Sequence, residues 1–580
     1  MPGGLSGWGL LVAVSVQTAC TVTTNGLYSY NKRLVLSLQT ACSVTDKQHA
    51  RIASAPSGFS NGGERLTTNP FPKGGGVVGR MKVASVPANF MSHPFTYSLG
   101  IWREISQKGV NLRLEISQKG VKTWIMRRKI YQKLLDWKRQ RKGDVALLIE
   151  GARRIGKSYI VEEFAKNEYD SYLLVDFSKV NPQVMELFRL YLDDLDTLFL
   201  NLEVYYRKKL SPRASSGDEA HSLIIFDEVQ FCPHARAAIK HLVADRRYDY
   251  IETGSLISIK KNVKDIMVPS EEHSIEMFPM DFEEFLWAMG DEVMMPYIRQ
   301  QFEQRQPMGM LHRKALDYFR QYMIVGGMPQ AVAKYVSTRD FEQVDEVKRD
   351  ILSLYRNDIN KYADNHEVKV ASIFEEIPGQ LQKHERKFRL SSLQTGAKMR
   401  DYADSFFWLS DARIINCCYN ATEPNIGLRM NEERTSLKCY MGDTGLLISL
   451  AFDERGIVGE DLYRKLMLDK LEVNEGMLVE NIVAQMLRTA GHRLYFYSRS
   501  AAESADRMEI DFLIAKAKTT SRHNISPIEV KSGKAYTLTS LKKCIAKYPS
   551  YLSTPYVLHD KDMKEADGIV YLPLYMTPLL

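Results

Sequence analysis

The sequence predicts an α/β protein whose core is a parallel sheet covered by helices on both faces. Between residues 126 and 290, short apolar runs of strand length alternate with helical stretches, as expected for such a sheet. A glycine-rich loop joins the first strand, residues 146–149, to a helix that begins near Tyr159. A second apolar run, residues 223–226, ends in two adjacent carboxylates. These three observations define the fold class and indicate one ligand site.

The glycine-rich loop reads Gly-Ala-Arg-Arg-Ile-Gly-Lys-Ser over residues 151–158 and matches the phosphate-binding pattern G-x-x-x-x-G-K-[ST]. Gly151 and Gly156 let the backbone curl so that its N–H groups face phosphate oxygens, and the N-terminus of the following helix adds partial positive charge. Lys157 is placed to reach the outer phosphates, and Ser158 is placed to hold Mg²⁺. The loop predicts ATP and Mg²⁺ as ligands. A glycine turn before an ordinary helix is the alternative for the bare pattern.

The two carboxylates after the second apolar run predict the rest of a hydrolytic site. Asp227 is placed to hold Mg²⁺ directly or through water, and Glu228 is placed to orient or deprotonate the attacking water. A strand that merely ends in solvated acids is the alternative. A third strand ends in Thr253-Gly254-Ser255, where a hydroxyl could sense the γ-phosphate. We expect Ser255 or Thr253 to serve in this way, the alternative being an ordinary turn.

Composition limits the classes of protein and of partner. The 580 residues allow three or four domains, and the seven cysteines include no C-x-x-C pair, which predicts reduced thiols and a cytoplasmic location. No apolar run approaches the length of a membrane span, so no membrane partner is expected. The first 125 residues have a net charge of +9, whereas the remainder has −1. The charge of the main body therefore gives no support for nucleic-acid binding.

Residues 1–125 differ in character from the rest of the chain. They lack a sustained helical or strand period, contain short internal repeats and are rich in Gly, Ser, Thr and Pro. We interpret them as a low-complexity leader that is either disordered or the result of a mis-assigned gene start, with a functional basic tail as the alternative. Met126 then opens an amphipathic helix that has Ile130, Leu134 and Trp137 on one face.

Ordered sequence blocks from Met126 onward resemble a prokaryotic family of AAA-type ATPases that have a C-terminal domain of unknown function. The blocks are GARRIGKS (151–158), LIIFDEVQ (223–230), RYDYIETGSLISIK (247–260), FPMDFEEFLWA (278–288), VGGMPQAV (325–332), LYRNDINKYA (354–363), YMGDTGLL (440–447), LVENIVAQML (478–487), EIDFLI (509–514) and IEVKSGK (528–534). The resemblance implies an ATP-binding P-loop core at 126–290, a helical and winged-helix-like middle at 291–470, and a domain similar to restriction-endonuclease folds at 471–580.

The resemblance does not identify the arginine that stabilises charge on a transferred phosphoryl group. Such an arginine often comes from a neighbouring subunit, so a homo-oligomer is a candidate assembly. Arg247 and Arg356 are candidates because they lie in two of the blocks. Surface or salt-bridge roles are the alternative for both.

The last 110 residues contain a second group of chemically active side chains. Asp511 lies on one predicted strand, and Glu529 and Lys531 lie on one face of the next, which gives the D…E-x-K arrangement of metal-dependent nucleases. There, two carboxylates would hold Mg²⁺ and the lysine would help to activate water or stabilise the phosphate. Glu480 could add a metal ligand from a helix. The alternative is a half-solvated sheet with alternating charges.

Two functional hypotheses follow. In the first, an ATPase hydrolyses ATP with Mg²⁺ and is coupled to a nuclease-like C-terminal domain that acts on DNA. In the second, ATP sets the state of a switch whose C-terminal domain binds partners or DNA without cleaving them. The winged-helix-like middle could bind DNA or serve only as a packing module, and the sequence favours neither.

Overall fold

The computed structural model describes residues 114–116, 122–124 and 126–580, with gaps at 216–217, 255–269, 364–365, 384–386, 426, 453–459, 468–474, 500–505, 516–522 and 534–535. The chain divides into two compact units, Met1–Ile125 and Met126–Leu580. In the first unit, strand β1 (Leu114–Ile116) pairs antiparallel with β2 (Lys122–Trp124). This hairpin was not predicted from the sequence. The rest of the predicted leader lies outside the described residues.

The second unit begins with a five-stranded parallel sheet, which confirms the predicted fold class. Its strand order is β4-β5-β6-β3-β7. The strands are β3 (Ala146–Glu150), β4 (Ser171–Asp176), β5 (Ser222–Asp227), β6 (Asp249–Gly254) and β7 (Glu272–Glu276). The helices are α1 (Ile130–Arg141), α2 (Lys157–Glu168), α3 (Pro182–Leu190), α4 (Leu195–Tyr206) and α5 (Pro233–Asp245).

Successive residues of β3 point into two separate apolar cores, which explains why its sequence is apolar without interruption. Leu147 and Ile149 pack in the core that contains Phe164 of α2. Ala146 and Leu148 pack in the core that contains Ile239 of α5. A strand buried on both faces needs apolar side chains at every position, so its pattern does not alternate.

Helices follow the parallel sheet and occupy most of the predicted middle region. They are α6 (Phe282–Ala288), α7 (Met294–Gln304), α8 (His312–Val325), α9 (Pro329–Thr338), α10 (Phe341–Tyr362), α11 (Glu367–Gln382) and α12 (Ala403–Asp411). Local sequence sets several of their starts. Asp281 and Glu284 form a capping box at α6, and the Asp340 carboxylate accepts backbone N–H bonds at the start of α10.

A mixed sheet with the strand order β14-β15-β13-β12-β11-β10-β8-β9 forms the C-terminal part. Its strands are β8 (Ile415–Ala421), β9 (Glu432–Met441), β10 (Tyr495–Arg499), β11 (Met508–Ala515), β12 (Ile525–Val530), β13 (Tyr556–His559), β14 (Lys564–Ala566) and β15 (Ile569–Pro573). The remaining α-helices in the described ranges are α13 (Thr444–Ala451), α14 (Glu460–Met467), α15 (Glu475–Thr489) and α16 (Thr539–Lys547).

Strands β8 and β9 lie before the C-terminal domain predicted at 471–580, but they belong to its sheet. The two strands pair antiparallel, and β8 also pairs parallel with β10. The hairpin follows α12 within the predicted winged-helix-like middle at 291–470, but it extends the C-terminal sheet. The predicted boundary at residue 471 therefore does not coincide with a boundary of this sheet, which already begins at Ile415.

A buried carboxylate joins the helical region and the C-terminal part. Asp443 precedes α13 and accepts hydrogen bonds from the Gly327 backbone N–H at 2.6 Å and from the Leu446 backbone N–H at 3.0 Å. The Gln485 side chain of α15 lies at 3.5 Å. Only 2% of the Asp443 surface is exposed. One side chain therefore fixes a loop and the start of one helix, and it contacts a second helix.

Glycine is required in the loop that contacts Asp443. A Cβ atom at Gly326 would lie 2.2 Å from Asp443 Oδ1, and one at Gly327 would lie 2.2 Å from the Met280 carbonyl oxygen. The Met280 N–H in turn donates to the Gly327 carbonyl at 2.6 Å. We call Met280, Gly326, Gly327, Asp443 and Gln485 the Asp443 junction. Asp443 and the Met280 carbonyl lie too close to the two glycines for either position to hold a side chain, which explains the Gly-Gly pair.

We predict that Asp443→Ala lowers the free energy of unfolding by about 3 kcal/mol, because it leaves buried backbone N–H groups without an acceptor. Urea unfolding followed by circular dichroism measures the change. The matched control is Asp340→Ala, which removes a solvent-accessible N-cap and should lower the free energy of unfolding much less. Equal losses for the two variants would contradict the assigned role of the junction.

Candidate functional site

The phosphate loop needs its two glycines for different reasons. A Cβ atom at Gly151 would lie 2.4 Å from the Met277 carbonyl oxygen, so any side chain there would clash with the backbone. Gly156 has a φ of 90°, in the left-handed region that favours glycine. Helix α2 begins at the next residue, Lys157. The loop thus ends at a helix N-terminus, where free N–H groups and the helix dipole favour an anion.

The Lys157 ammonium lies inside the loop. Its Nζ donates to the carbonyl oxygens of Gly151 and Ala152, both at 3.0 Å. Burial lowers the pKa of Lys157, while the nearby carboxylates of Glu228 and Asp227 raise it. The loop carbonyls hold this cation at the place where the motif predicts contact with phosphate oxygens.

Ser158 and Asp227 meet as the two motifs predict. Ser158 Oγ donates to Asp227 Oδ1 at 2.7 Å, and the hydroxyl of Thr253 donates to the same carboxylate oxygen. Burial raises the pKa of Asp227, and these two hydrogen bonds lower it. A hydroxyl and a carboxylate side by side suit Mg²⁺, which prefers oxygen ligands and retains several waters. Ser158 and Asp227 would hold the ion, directly or through water.

Glu228 follows with an unusual backbone conformation, and its carboxylate is hydrogen-bonded. Its φ of 53° places it in the left-handed region, and the side-chain amide of Gln230 donates to Glu228 Oε2. The Glu228 backbone N–H also lies 3.5 Å from Thr253 Oγ1. Of the two hydroxyls proposed at the end of β6, the structure places Thr253 in the site. Ser255 lies outside the described residues.

A cleft of about 590 Å³, open to solvent, lies beside Lys157 and Glu228. One wall comes from the phosphate-binding motifs and the other from the helical region. The described lining residues are Arg153, Lys157, Glu228, Gln230, Phe231, Tyr355, Asp358, Tyr362, Trp408, Ala412 and Ile414. The Asp358 carboxylate pairs with the Arg153 guanidinium, and Tyr355 Oη donates to the Arg153 carbonyl at 3.1 Å. Helix α10 of the same chain therefore contacts the phosphate loop.

Neither arginine proposed from sequence lines this cleft. Arg247 precedes β6, at the end of the sheet opposite the phosphate loop, and pairs with Asp245 and Asp196. Arg356 lies on α10 but pairs with Glu375 of α11, at 2.7 and 3.1 Å. Sequence reasoning overlooked Arg153, although its position inside the phosphate-binding motif was a direct signal.

Three of the four residues proposed in the C-terminal part lie together. Lys531 Nζ donates to Glu529 Oε2 at 2.8 Å, and the Val530 N–H donates to Asp511 Oδ2 at 2.8 Å. Burial, and then the neighbouring charge of Asp511, raise the pKa of Glu529 to about 8, against the opposing effect of Lys531. Asp511 and Glu529 are thus close enough to repel each other, as the D…E-x-K arrangement requires.

The fourth residue, Glu480, is fully buried and meets a lysine that sequence reasoning overlooked. The Tyr440 hydroxyl donates to Glu480 Oε1, and Lys438 Nζ lies 3.3 Å from the same oxygen. Lys438 Nζ also lies 3.0 Å from Glu509 Oε1 and 3.8 Å from Asp511 Oδ1. The available signal was a lysine inside the apolar end of β9, Leu437 to Met441. We call Glu480, Glu509, Asp511 and Glu529, with Lys438 and Lys531, the carboxylate cluster.

Three protein-family models match the chain. Residues 144–286 match an AAA domain, residues 316–456 a domain of unknown function (DUF8612), and residues 475–576 another domain of unknown function (DUF4143). No curated protein matches the chain. The AAA match covers β3 to α6 and includes the phosphate loop, Asp227 and Glu228.

Two solved structures resemble the chain at low similarity. One is titled as the Walker-type ATPase PABY2304 of Pyrococcus abyssi, with a TM-score of 0.34, 14% identity, and coverage of 59% of this chain and 99% of that one. The other is titled as the structure of Drosophila ORC bound to DNA, with a TM-score of 0.22, 13% identity, and coverage of 56% and 99%. At these scores neither structure bears on function.

The parallel sheet, the phosphate loop and the AAA-domain match together define a P-loop AAA-type ATPase domain. The predicted nuclease-like character of the C-terminal part is not part of this conclusion, because its matching family has no known function. Among the helices in the described ranges, none combines the length and the apolar character needed to span a membrane.

We predict that Lys157→Ala reduces ATP hydrolysis at least about 100-fold, because the outer phosphates lose their buried cation. Steady-state phosphate release measures the rate. Lys166→Ala is the matched control, because Lys166 lies on the same helix and pairs at the surface with Glu162. If Lys157→Ala fails to fold, Ser158→Ala tests the same site. A wild-type rate in a folded variant at either position would place the site elsewhere.

Proposed function

We propose that this protein is a Mg²⁺-dependent ATP hydrolase that acts as a conformational switch, and that its C-terminal domain binds a partner, DNA being one candidate, without cleaving it. The observation that supports hydrolysis is the meeting of Ser158 with Asp227 at 2.7 Å, with Glu228 next in the chain. These groups are those that phosphoryl transfer to water requires, because the reaction depends on charge neutralisation and on an oriented water molecule.

Each residue of the site has one part in this reaction. Lys157 would bind the outer phosphates, and Ser158 and Asp227 would hold Mg²⁺, which would supply further positive charge to the phosphate oxygens. Glu228 orients the attacking water and accepts its proton. The Gln230 amide donates to the Glu228 carboxylate and thereby sets its direction. Thr253 fixes Asp227 through its hydroxyl.

The contact between α10 and the phosphate loop supports the switch. Asp358 holds the Arg153 guanidinium, which lies in the same cleft as Lys157. An arriving triphosphate competes with Asp358 for this guanidinium, because both are anions that pair well with arginine. Binding would therefore loosen α10 from the loop, and hydrolysis would restore the contact.

A second contact connects the ATPase sheet to the C-terminal part. Arg488, near the end of α15, binds both carboxylate oxygens of Glu276 at 2.9 and 2.8 Å. Arg413 also reaches Glu276, at 2.9 Å, and lies 3.8 Å from Glu150, the residue before the phosphate loop. The same helix α15 holds Glu480 of the carboxylate cluster. This one helix therefore gives a direct route by which the nucleotide could affect the C-terminal domain.

We predict that Asp358→Asn tightens ATP binding about 3- to 10-fold, because Arg153 no longer has a competing carboxylate. This range corresponds to roughly 1 kcal/mol, as expected for a partly exposed ion pair. Titration with a fluorescent ATP analogue measures the dissociation constant. The matched control is Glu375→Gln, which breaks the Arg356 pair away from the loop. Unchanged or weaker binding in Asp358→Asn would argue against the competition.

A metal-dependent nuclease is the competing function for the C-terminal domain, and it is favoured by the proximity of Asp511, Glu529 and Lys531. Our proposal predicts that the full chain, incubated with single- and double-stranded DNA and Mg²⁺ or Mn²⁺, produces no cleavage that Asp511→Ala abolishes. Gel electrophoresis of labelled DNA measures the products. Cleavage that depends on Asp511 would contradict the proposed binding role of the C-terminal domain and support a nuclease. The proposed ATP hydrolysis would not be affected.

A further inference from the structure

We infer that Lys438 is the built-in cation of the carboxylate cluster and takes the place that a divalent metal ion has in a D…E-x-K nuclease. Three carboxylates surround its ammonium group, at 3.0 Å for Glu509, 3.3 Å for Glu480 and 3.8 Å for Asp511. They come from α15 and β11, so the lysine bridges two elements as a metal ion would. This inference concerns the C-terminal part and does not depend on ATP hydrolysis.

The position of Lys438 is held by its surroundings. Only 1% of its side chain is exposed, and its Nζ lies 5.1 Å from the centre of the Phe496 ring. Tyr440, two residues further along β9 and therefore on the same face, donates to Glu480. A buried ammonium is stable only with charged or hydrogen-bonding partners, so the carboxylates and this lysine depend on each other. Lys438 cannot move into solvent as a surface lysine would.

Other groups already occupy one carboxylate oxygen of Asp511 and one of Glu529, while Glu529 Oε1 is buried without a hydrogen-bond partner. Asp511 Oδ2 accepts the Val530 N–H at 2.8 Å, and Glu529 Oε2 accepts the Lys531 ammonium at 2.8 Å. A divalent ion requires oxygen ligands at about 2.0–2.6 Å. An ion bound between Glu480 and Asp511 would therefore lie against the Lys438 ammonium, and the two cations would repel each other strongly at low dielectric.

The donor set consequently does not fit the metal ion that the D…E-x-K pattern implies. Within the described ranges, no group of three or more His, Cys, Asp or Glu side chains is arranged to hold a metal. The carboxylate cluster instead pairs carboxylates with two lysine ammonium groups. Lys438 is buried and Lys531 lies nearer the surface. Such a cluster can hold β9, β11, β12 and α15 together without a loosely bound ion.

The test uses Mn²⁺ alone as the probe, on the nucleotide-free full chain with Ser158→Ala as background to remove the metal site of the phosphate loop. Electron paramagnetic resonance measures bound Mn²⁺. We expect no binding that depends on Asp511, so the background protein and its Asp511→Asn derivative should bind equally. Binding that Asp511→Asn weakens tenfold or more would overturn the inference.

Removing the lysine charge gives the second arm. Lys438→Met keeps the apolar stem of the side chain, and we expect it to bind Mn²⁺ at least about tenfold more tightly than the background protein. The double variant Lys438→Met with Asp511→Asn should lose this gain. A folded Lys438→Met protein without any gain would overturn the inference. Circular dichroism and thermal melting show whether the variant folds. If it does not, the comparison of the background protein with its Asp511→Asn derivative still tests the inference.

Discussion

The Asp443 carboxylate is the interaction on which the arrangement of Met126–Leu580 depends most. It joins the Gly326-Gly327 loop, the start of α13 and, through Gln485, helix α15. Because these contacts are buried, no water molecule could replace the Asp443 carboxylate as the acceptor for the backbone N–H groups that it binds. The Gly327 carbonyl of this loop also accepts a hydrogen bond from the Met280 N–H. Polar contacts at this point thus connect the segment after β7, the helical region and the C-terminal part.

This junction places helices of one chain directly around the nucleotide cleft. Helix α9 begins at Pro329, just after the Gly326-Gly327 loop. The Pro329 ring lies 3.7 Å from the position that a Cβ atom on Gly156 would have. Helix α10 follows and contributes Tyr355, Asp358 and Tyr362 to the cleft. The phosphate loop therefore has a neighbour within its own chain that can respond to its occupant. This arrangement is the basis of the proposed switch, in which the ligand and α10 would compete for the Arg153 guanidinium.

The same helix that contacts the junction also contributes to the carboxylate cluster. Along α15, Glu480 faces Lys438, Gln485 faces Asp443 and Arg488 faces Glu276. With 3.6 residues per turn, Glu480 and Gln485 lie roughly 140° apart around the axis of α15, and Arg488 lies between them, so the three contacts are spread over one broad side of the helix. A rotation or shift of this helix would alter all three contacts at once. These separate contacts explain why an acid, an amide and an arginine interrupt an otherwise apolar helix.

The sequence by itself determined the parallel sheet, the phosphate loop and the pairing of Ser158 with Asp227, because these depend on local patterns and on motif spacing. It also determined that Asp511, Glu529 and Lys531 share one site, since they lie on or just after neighbouring strands whose side chains alternate between the two faces of the sheet. Tertiary structure alone decided that Asp358 holds Arg153, that β8 and β9 extend the C-terminal sheet, and that Lys438 lies among the carboxylates. Each of these contacts joins residues far apart in the chain, and burial of a charge is favourable only when such a distant partner is present.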